Sequence, residues 1–100
     1  MKKDIIKSKP ILVLFYVSWC GYCKQIMPIW AKIKKKLNKN KHIIVKELNG
    51  DIFTKVVKKC EIKGYPTILF FDKNKVIEYK GNRTVEAILQ FLRKKNNNNI

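Results

Sequence analysis

Acidic residues are scarce in this chain. Its 100 residues set 7 Asp and Glu against 23 Lys and Arg, a formal net charge of +16. Arginine is scarce as well, since Arg83 and Arg93 are the arginines and every other cation is lysine. A field of this sign draws anionic partners. A guanidinium nevertheless suits phosphates and base edges better than a lysine ammonium does. The excess is therefore read as a solvated lysine coat that can attract acidic partners, with a nucleic-acid surface the less favoured reading. The abundance of Lys, Asn and Ile also fits codon bias in an AT-rich genome. Cysteine is sparse, at 3 residues, and odd in number. A small secreted disulfide scaffold would carry more, evenly matched, so the pattern fits a cell interior or a redox protein. No apolar run reaches the length of a membrane span; the longest is ILVLFYV, 11–17. Lys2 and Lys3 precede that run, but Pro10 and charged residues intervene and no small-residue cleavage site follows. The terminal KKNNNNI is no retention address. The expectation is a chain without targeting segment or membrane association, cytoplasmic and monomeric. Residues 1–95 would form a single domain and 96–100 a disordered Asn-rich tail.

What is present is a core. Hydrophobic residues are 46% of the chain, enough to fold without disulfide or metal staples. Ile5 and Ile6 suggest one turn of helix. The run at 11–17, rich in branched and aromatic residues, reads as a strand buried on both faces. From about Gly21, Cys23, Ile26, Met27, Trp30, Ile33 and Leu37 recur at helical spacing, with lysines on the opposite side and Pro28 expected to kink the helix. HIIVKEL (42–48) reads as a strand and Asn49-Gly50-Asp51 as a turn. Phe53, Val56, Val57 and Cys60 trace the inner face of a short helix. TILFF (67–71) and VIEYK (76–80) form a hairpin across Asp72–Lys75. Thr84 is placed to cap a last helix that turns Val85, Ile88, Leu89 and Leu92 inward. The order is β-α-β-α-β-β-α, a four-stranded mixed α/β sheet flanked by helices, with a parallel pair from the first β-α-β unit.

The chemistry sits in SWCGYCK, 18–24. Cys20 falls where a buried strand passes into a helix. Unpaired backbone N–H groups and the positive end of the helix dipole stabilise a thiolate there, and Lys24 adds a cation. Cys23 follows at one turn, within reach of Cys20. That spacing suits attack by Cys20 on a foreign disulfide and release through Cys23. Two other readings stay open on the residues alone. One is an inert structural disulfide. The other is half of a zinc site completed by Cys60 and His42, although zinc modules usually supply a second close pair.

WCGYCKQIMPIW (19–30) resembles the active-site segment of thioredoxin-fold proteins, the catalytic domains of protein disulfide isomerases in particular. KGYPT (63–67) is similar to their cis-proline loop, and YKGNRT (79–84) to their Tyr-x-Gly-x-Arg-Thr stretch. The resemblance implies a thiol–disulfide oxidoreductase that needs no cofactor and no metal. Cys20 would be the nucleophile and Cys23 the resolving thiol. Trp19, Gly21, Tyr22, Tyr65 and Pro66 would contact substrate, with Pro66 cis. Lys24 and Arg83 would tune the thiols. Partners would be protein disulfides, with a reductase or glutathione as electron donor.

Two departures accompany the resemblance. Leu14 stands where the family usually buries an Asp or Glu that accepts the resolving thiol's proton. Too few residues precede Ile11 for the family's extra first strand and full helix, so that strand is expected to be missing. The 42–48 strand would then be an edge, guarded by Lys46 and Glu47. Tyr22 replaces the residues that mark thioredoxins or isomerases, leaving a potential anywhere from about −270 to about −180 mV. Cys60, Trp30, Phe70 and Phe71 read as core and His42 as surface. The alternative function is a thioredoxin-fold binding module that uses its basic surface for nucleic acid or acidic partners.

Overall fold

The structure, a computed structural model, describes residues 9–96. The expected turn at Ile5–Ile6, any strand before Ile11 and most of the Asn-rich tail lie outside them. The described elements run β1 (Ile11–Tyr16), α1 (Gly21–Leu37), β2 (Ile44–Asn49), α2 (Thr54–Lys59), β3 (Thr67–Asp72), β4 (Lys75–Tyr79) and α3 (Val85–Lys95). They form one mixed sheet in the order β2-β1-β3-β4, parallel between β1 and β2 and antiparallel elsewhere.

β1 is central because both of its faces are apolar, and each face is covered. Leu12 and Leu14 point toward α1 and α3, where they join Ile26, Trp30, Ile33, Leu37, Ile68, Phe70, Ile88, Leu89 and Leu92. Val13 and Phe15 point the other way and meet Leu69, with Val57, Cys60, Ile62, Tyr65 and Phe71 packed around them. α1 continues through Pro28, and its helical stripe buries Cys23, Ile26, Trp30, Ile33 and Leu37; Met27 is half-buried beside them. Lys34, Lys35 and Lys36 occupy its last turn, where cations complement the helix dipole. Thr84 caps α3, its hydroxyl accepting from Ala87 N at 3.1 Å. The Tyr79 hydroxyl donates to the Asn82 carbonyl, and its ring meets Phe91 edge-on at 5.0 Å.

Several sequence-based boundaries shift. β2 begins at Ile44 rather than 42, because the Asn40 side chain accepts from His42 N at 2.7 Å and holds a turn there. β4 covers 75–79, and Asp72 pairs with Lys75 across a two-residue loop in which Lys73 takes φ 57°. The inner face expected for α2 is half right. Val57 and Cys60 pack on the sheet, but Phe53 and Val56 are exposed. Phe53 has the non-helical angles φ −93°, ψ 58°, so the helical phase does not reach it. α2 closes with Ile62 N bonded to Val57 O at 3.0 Å and Glu61 N to Lys58 O at 3.1 Å. This double bond pattern places Glu61 in the left-handed region at φ 56°, a position glycine usually fills.

β2 and β4 are the sheet edges among the described residues. Lys46 is exposed on β2, as an edge guard would be. Glu47 instead turns inward, and Lys34 Nζ donates to its Oε2 at 3.0 Å.

Candidate active site

The sheet topology gathers the chemistry at one end. The C-terminal ends of β1 and β2 coincide because the two strands are parallel, and antiparallel β3 begins and β4 ends at the same edge. Cys20 follows β1, Asp51 follows β2, Pro66 precedes β3 and Arg83 follows β4.

Cys20 is the N-cap of α1. Its backbone is extended at φ −97°, ψ 127°, and its side chain makes no capping bond. Its carbonyl accepts the first helical bond, from Lys24 N at 3.1 Å, so the sulfur sits among the unpaired N–H groups of the first turn. The Cys23 backbone N–H is the chief cause that holds the Cys20 thiol below its ordinary value. Partial burial opposes it, and the Cys23 side chain, the Tyr22 N–H and the Arg83 charge add to the lowering. Cys23 lies one turn on and is buried on the inner side of α1. Burial pushes its thiol up. A backbone hydrogen bond from Val17 works against that, the adjacent Cys20 sulfur works with it, and the Arg83 charge again lowers. Both cysteines are free thiols. One sulfur is thus half-buried and more easily ionised than an ordinary thiol, while its neighbour is buried and holds its proton more firmly.

A backbone wall stands beside Cys20. The Tyr65–Pro66 peptide is cis, and Cys20 Sγ lies 3.6 Å from the Tyr65 carbonyl oxygen. Thr67 Oγ1 donates to Gly64 O at 2.7 Å and tightens the same loop. The Tyr65 ring is seated against Gly50, where an added Cβ would come within 2.3 Å of the tyrosine oxygen. Only a residue without a side chain lets the β2–α2 turn and the proline loop approach this closely. On the other side, exposed Trp19 donates its indole N–H to Asp51 Oδ2 at 2.9 Å. Asp51 N in turn donates to Asn49 Oδ1 at 2.9 Å. The Arg83 guanidinium carbon lies 5.9 Å from the centroid of the exposed Tyr22 ring, within cation–π range.

Trp19, Cys20, Gly21, Tyr22, Cys23, Tyr65, Pro66 and Arg83 therefore meet at this end. Lys24 is exposed on the helix and is not among the groups that shift either thiol; the cation acting on both is Arg83. Cys60 and His42 do not complete a metal site with the pair. Cys60 packs among Val57, Ile62 and Tyr65, His42 is exposed before β2, and no three potential ligands gather among the described residues. Asp51 and Gly50 went unnoticed in the sequence, where Asn49-Gly50-Asp51 reads only as a turn. Their partners are distant in the chain, and no local spacing marks them.

The thioredoxin family model matches residues 1–94. The chain belongs to the thioredoxin family, a family of thiol–disulfide oxidoreductases. It is 38% identical over 88 residues to a protein disulfide-isomerase of Drosophila melanogaster, covering 86% of this chain and 17% of that protein. A protein disulfide-isomerase of Schizosaccharomyces pombe is 34% identical over 91 residues, 88% of this chain and 25% of its own length. The thioredoxin domain described here thus spans a quarter or less of these relatives. The solution structure of the first thioredoxin domain of mouse protein disulfide-isomerase A4 superposes with a TM-score of 0.78 at 32% identity, covering 93% of this chain and 67% of that one. Leu14, where the resemblance leads one to expect a buried acid, is fully buried and apolar. Across the ladder in β2, Glu47 is the residue in register with Leu14.

Proposed function

We propose that this thioredoxin domain exchanges disulfides with protein clients through the dithiol of Cys20-Gly21-Tyr22-Cys23. The observation that supports it most is the division of labour between the two sulfurs: Cys20 biased toward its thiolate at a helix start beside a backbone wall, Cys23 biased toward its thiol beneath it.

The Cys20 thiolate attacks one sulfur of a client disulfide. A Cys20–client bond forms, and the client's second sulfur leaves as a thiolate and takes a proton from solvent. Cys23 then loses its proton and attacks Cys20 Sγ, which expels the first client sulfur. The result is a Cys20–Cys23 disulfide and a client reduced by two electrons. The carbonyl of Tyr65 faces the reacting sulfur, and the backbone before Pro66 offers an extended client segment a pairing edge. Leu14 supplies no proton acceptor, so deprotonation of Cys23 relies on water and on the charge of Arg83. A thiol donor, a reductase or glutathione, would return the pair to its reduced form. Run backward, the same steps oxidise or isomerise a client.

Insulin reduction with dithiothreitol tests this reading. The wild-type domain is expected to accelerate precipitation of the insulin chains, and Cys20→Ser to remove the acceleration. Equal rates for the two proteins would sink the proposal.

A further inference from the structure

The positive charge is spread unevenly over the domain. The parallel β1–α1–β2 unit and the β3–β4 hairpin decide which segments share the end opposite Cys20. α1 and α3 both finish there. Asn96 Nδ2, at the close of α3, donates to the carbonyl oxygen of His42, just before β2, at 3.3 Å. The last turn of α1 brings exposed Lys35 and Lys36, and that of α3 brings exposed Arg93, Lys94 and Lys95. Exposed Lys39 and Lys41 follow α1, and exposed Lys73 and Lys75 stand at the tip of the hairpin. Two described acids lie toward this end. Asp72 is half-buried and opposite Lys75 in the ladder, and Glu47 is held by Lys34. Residues 1–8 carry Lys2, Lys3 and Lys7 against Asp4, so they add no net negative charge. At the dithiol end the signs are mixed: Lys80 and Arg83 share it with exposed Asp51 and Glu86.

Cations in the last turns of α1 and α3 complement the helix dipoles. Lys39, Lys41, Lys73 and Lys75 have no such role, because they belong to loops or to the start of a strand. Like charges gathered on one end repel one another, and a partner of opposite sign relieves that repulsion.

We propose that this basic end docks the domain on the surface of an anionic lipid bilayer, with the dithiol end turned away into solution. The charge comes from the ends of two helices and a hairpin tip, which makes a broad face rather than a stripe along one element. Nearly all of it is lysine, whose point charge suits diffuse attraction to headgroups, while paired contacts to nucleic-acid phosphates favour arginine. The exposed aromatics that could stack on bases, Trp19, Tyr22 and Phe53, belong to segments at the dithiol end. The exposed large hydrophobic side chain at the basic end is aliphatic Val76, 58% exposed beside Lys75, and it can enter the headgroup layer. The expectation of no membrane association followed from the lack of a spanning run. Adsorption to a surface needs none.

The test is sedimentation of the full chain with vesicles at about 0.15 M salt, where long-range attraction is already screened. Wild type is expected to bind vesicles containing about a third phosphatidylserine and to leave pure phosphatidylcholine vesicles unbound. Each lysine at an anionic surface is worth about five-fold in binding, so Lys36→Gln, Lys73→Gln and Lys94→Gln together should weaken it about a hundred-fold. Lys39→Gln, Lys41→Gln and Lys75→Gln, drawn from other positions at the same end, should do the same. Lys55→Gln, Lys63→Gln and Lys80→Gln remove equal charge elsewhere and should change binding by no more than about three-fold. Trp19, at the dithiol end, should keep its fluorescence when the vesicles carry nitroxide-labelled lipid. Equal losses from the basic-end and control variants would overturn the docking face, as would absence of binding to the anionic vesicles. Quenching of Trp19 would overturn the orientation. Tighter binding to duplex DNA or single-stranded RNA at equal phosphate concentration would overturn the bilayer as partner. None of these readouts depends on dithiol exchange.

Discussion

The two faces of the sheet are built to different depths. On the face covered by α1 and α3, Trp30, Ile33, Ile88 and Leu92 are sealed against Leu12, Leu14 and Phe70. On the face covered by α2, Val13, Phe15 and Leu69 are buried, and their neighbours are half-exposed. α2 has six residues and buries none of them. The first face anchors the helix that presents Cys20 and Cys23. The second carries the proline loop and the apolar corner beside Trp19. The deep packing and the loops beside the thiol thus lie on opposite sides of one strand, β1, which supports both.

Matched truncations would break that comparison if it is wrong. Trp30→Ala, on the deep face, is expected to cost about 3–5 kcal/mol of stability. Val57→Ala, on the thin face, is expected to cost about 1 kcal/mol, because its methyl groups are only partly removed from water. Urea unfolding of the reduced protein measures both, and equal losses would contradict the division. Thr84→Ala removes the α3 cap and should cost about 1 kcal/mol by the same measurement. Glu61→Gly works in the opposite direction on the thin face. It relieves a side chain held at φ 56° and should stabilise by up to about 1 kcal/mol, net of the added freedom of the unfolded chain. A destabilising result there would mean that the Glu61 side chain makes a contribution larger than its backbone cost.

The deep face was the more legible of the two in the sequence. The three-four spacing from Cys23 to Leu37 and the unbroken apolar run at 11–17 each fix an orientation on their own. Thr84 marked its helix start through a known capping preference. The active-site pair was equally legible, because its chemistry depends on adjacent residues and a strand-to-helix junction. The thin face was harder to read. Phe53 and Val56 fit a helical stripe, but the backbone leaves the helical region at Phe53, and a short segment with no long period gives no warning. Asp51 under Trp19, Gly50 under Tyr65 and Arg83 over Tyr22 all depend on segments far apart in the chain. Lys24 reads as a cation close in sequence and Arg83 enters only through the resemblance; the fold turns the first outward and brings the second to the thiols. Glu47 read as an edge guard until its register with Leu14 turned it toward Lys34.

Dithiol exchange depends most on the ionisation of Cys20, which ultraviolet absorption of the thiolate follows directly across a pH titration of the reduced protein. Because the folded environment favours the charged form of Cys20 and the neutral form of Cys23, the titration carried out on a Cys60→Ser background, which removes the third free thiol, should show two steps. One should lie below about 8.5, the free-thiol value, and the other above it, with the lower step absent from Cys20→Ser. A single step at or above the free-thiol value, unchanged by that substitution, would contradict the mechanism.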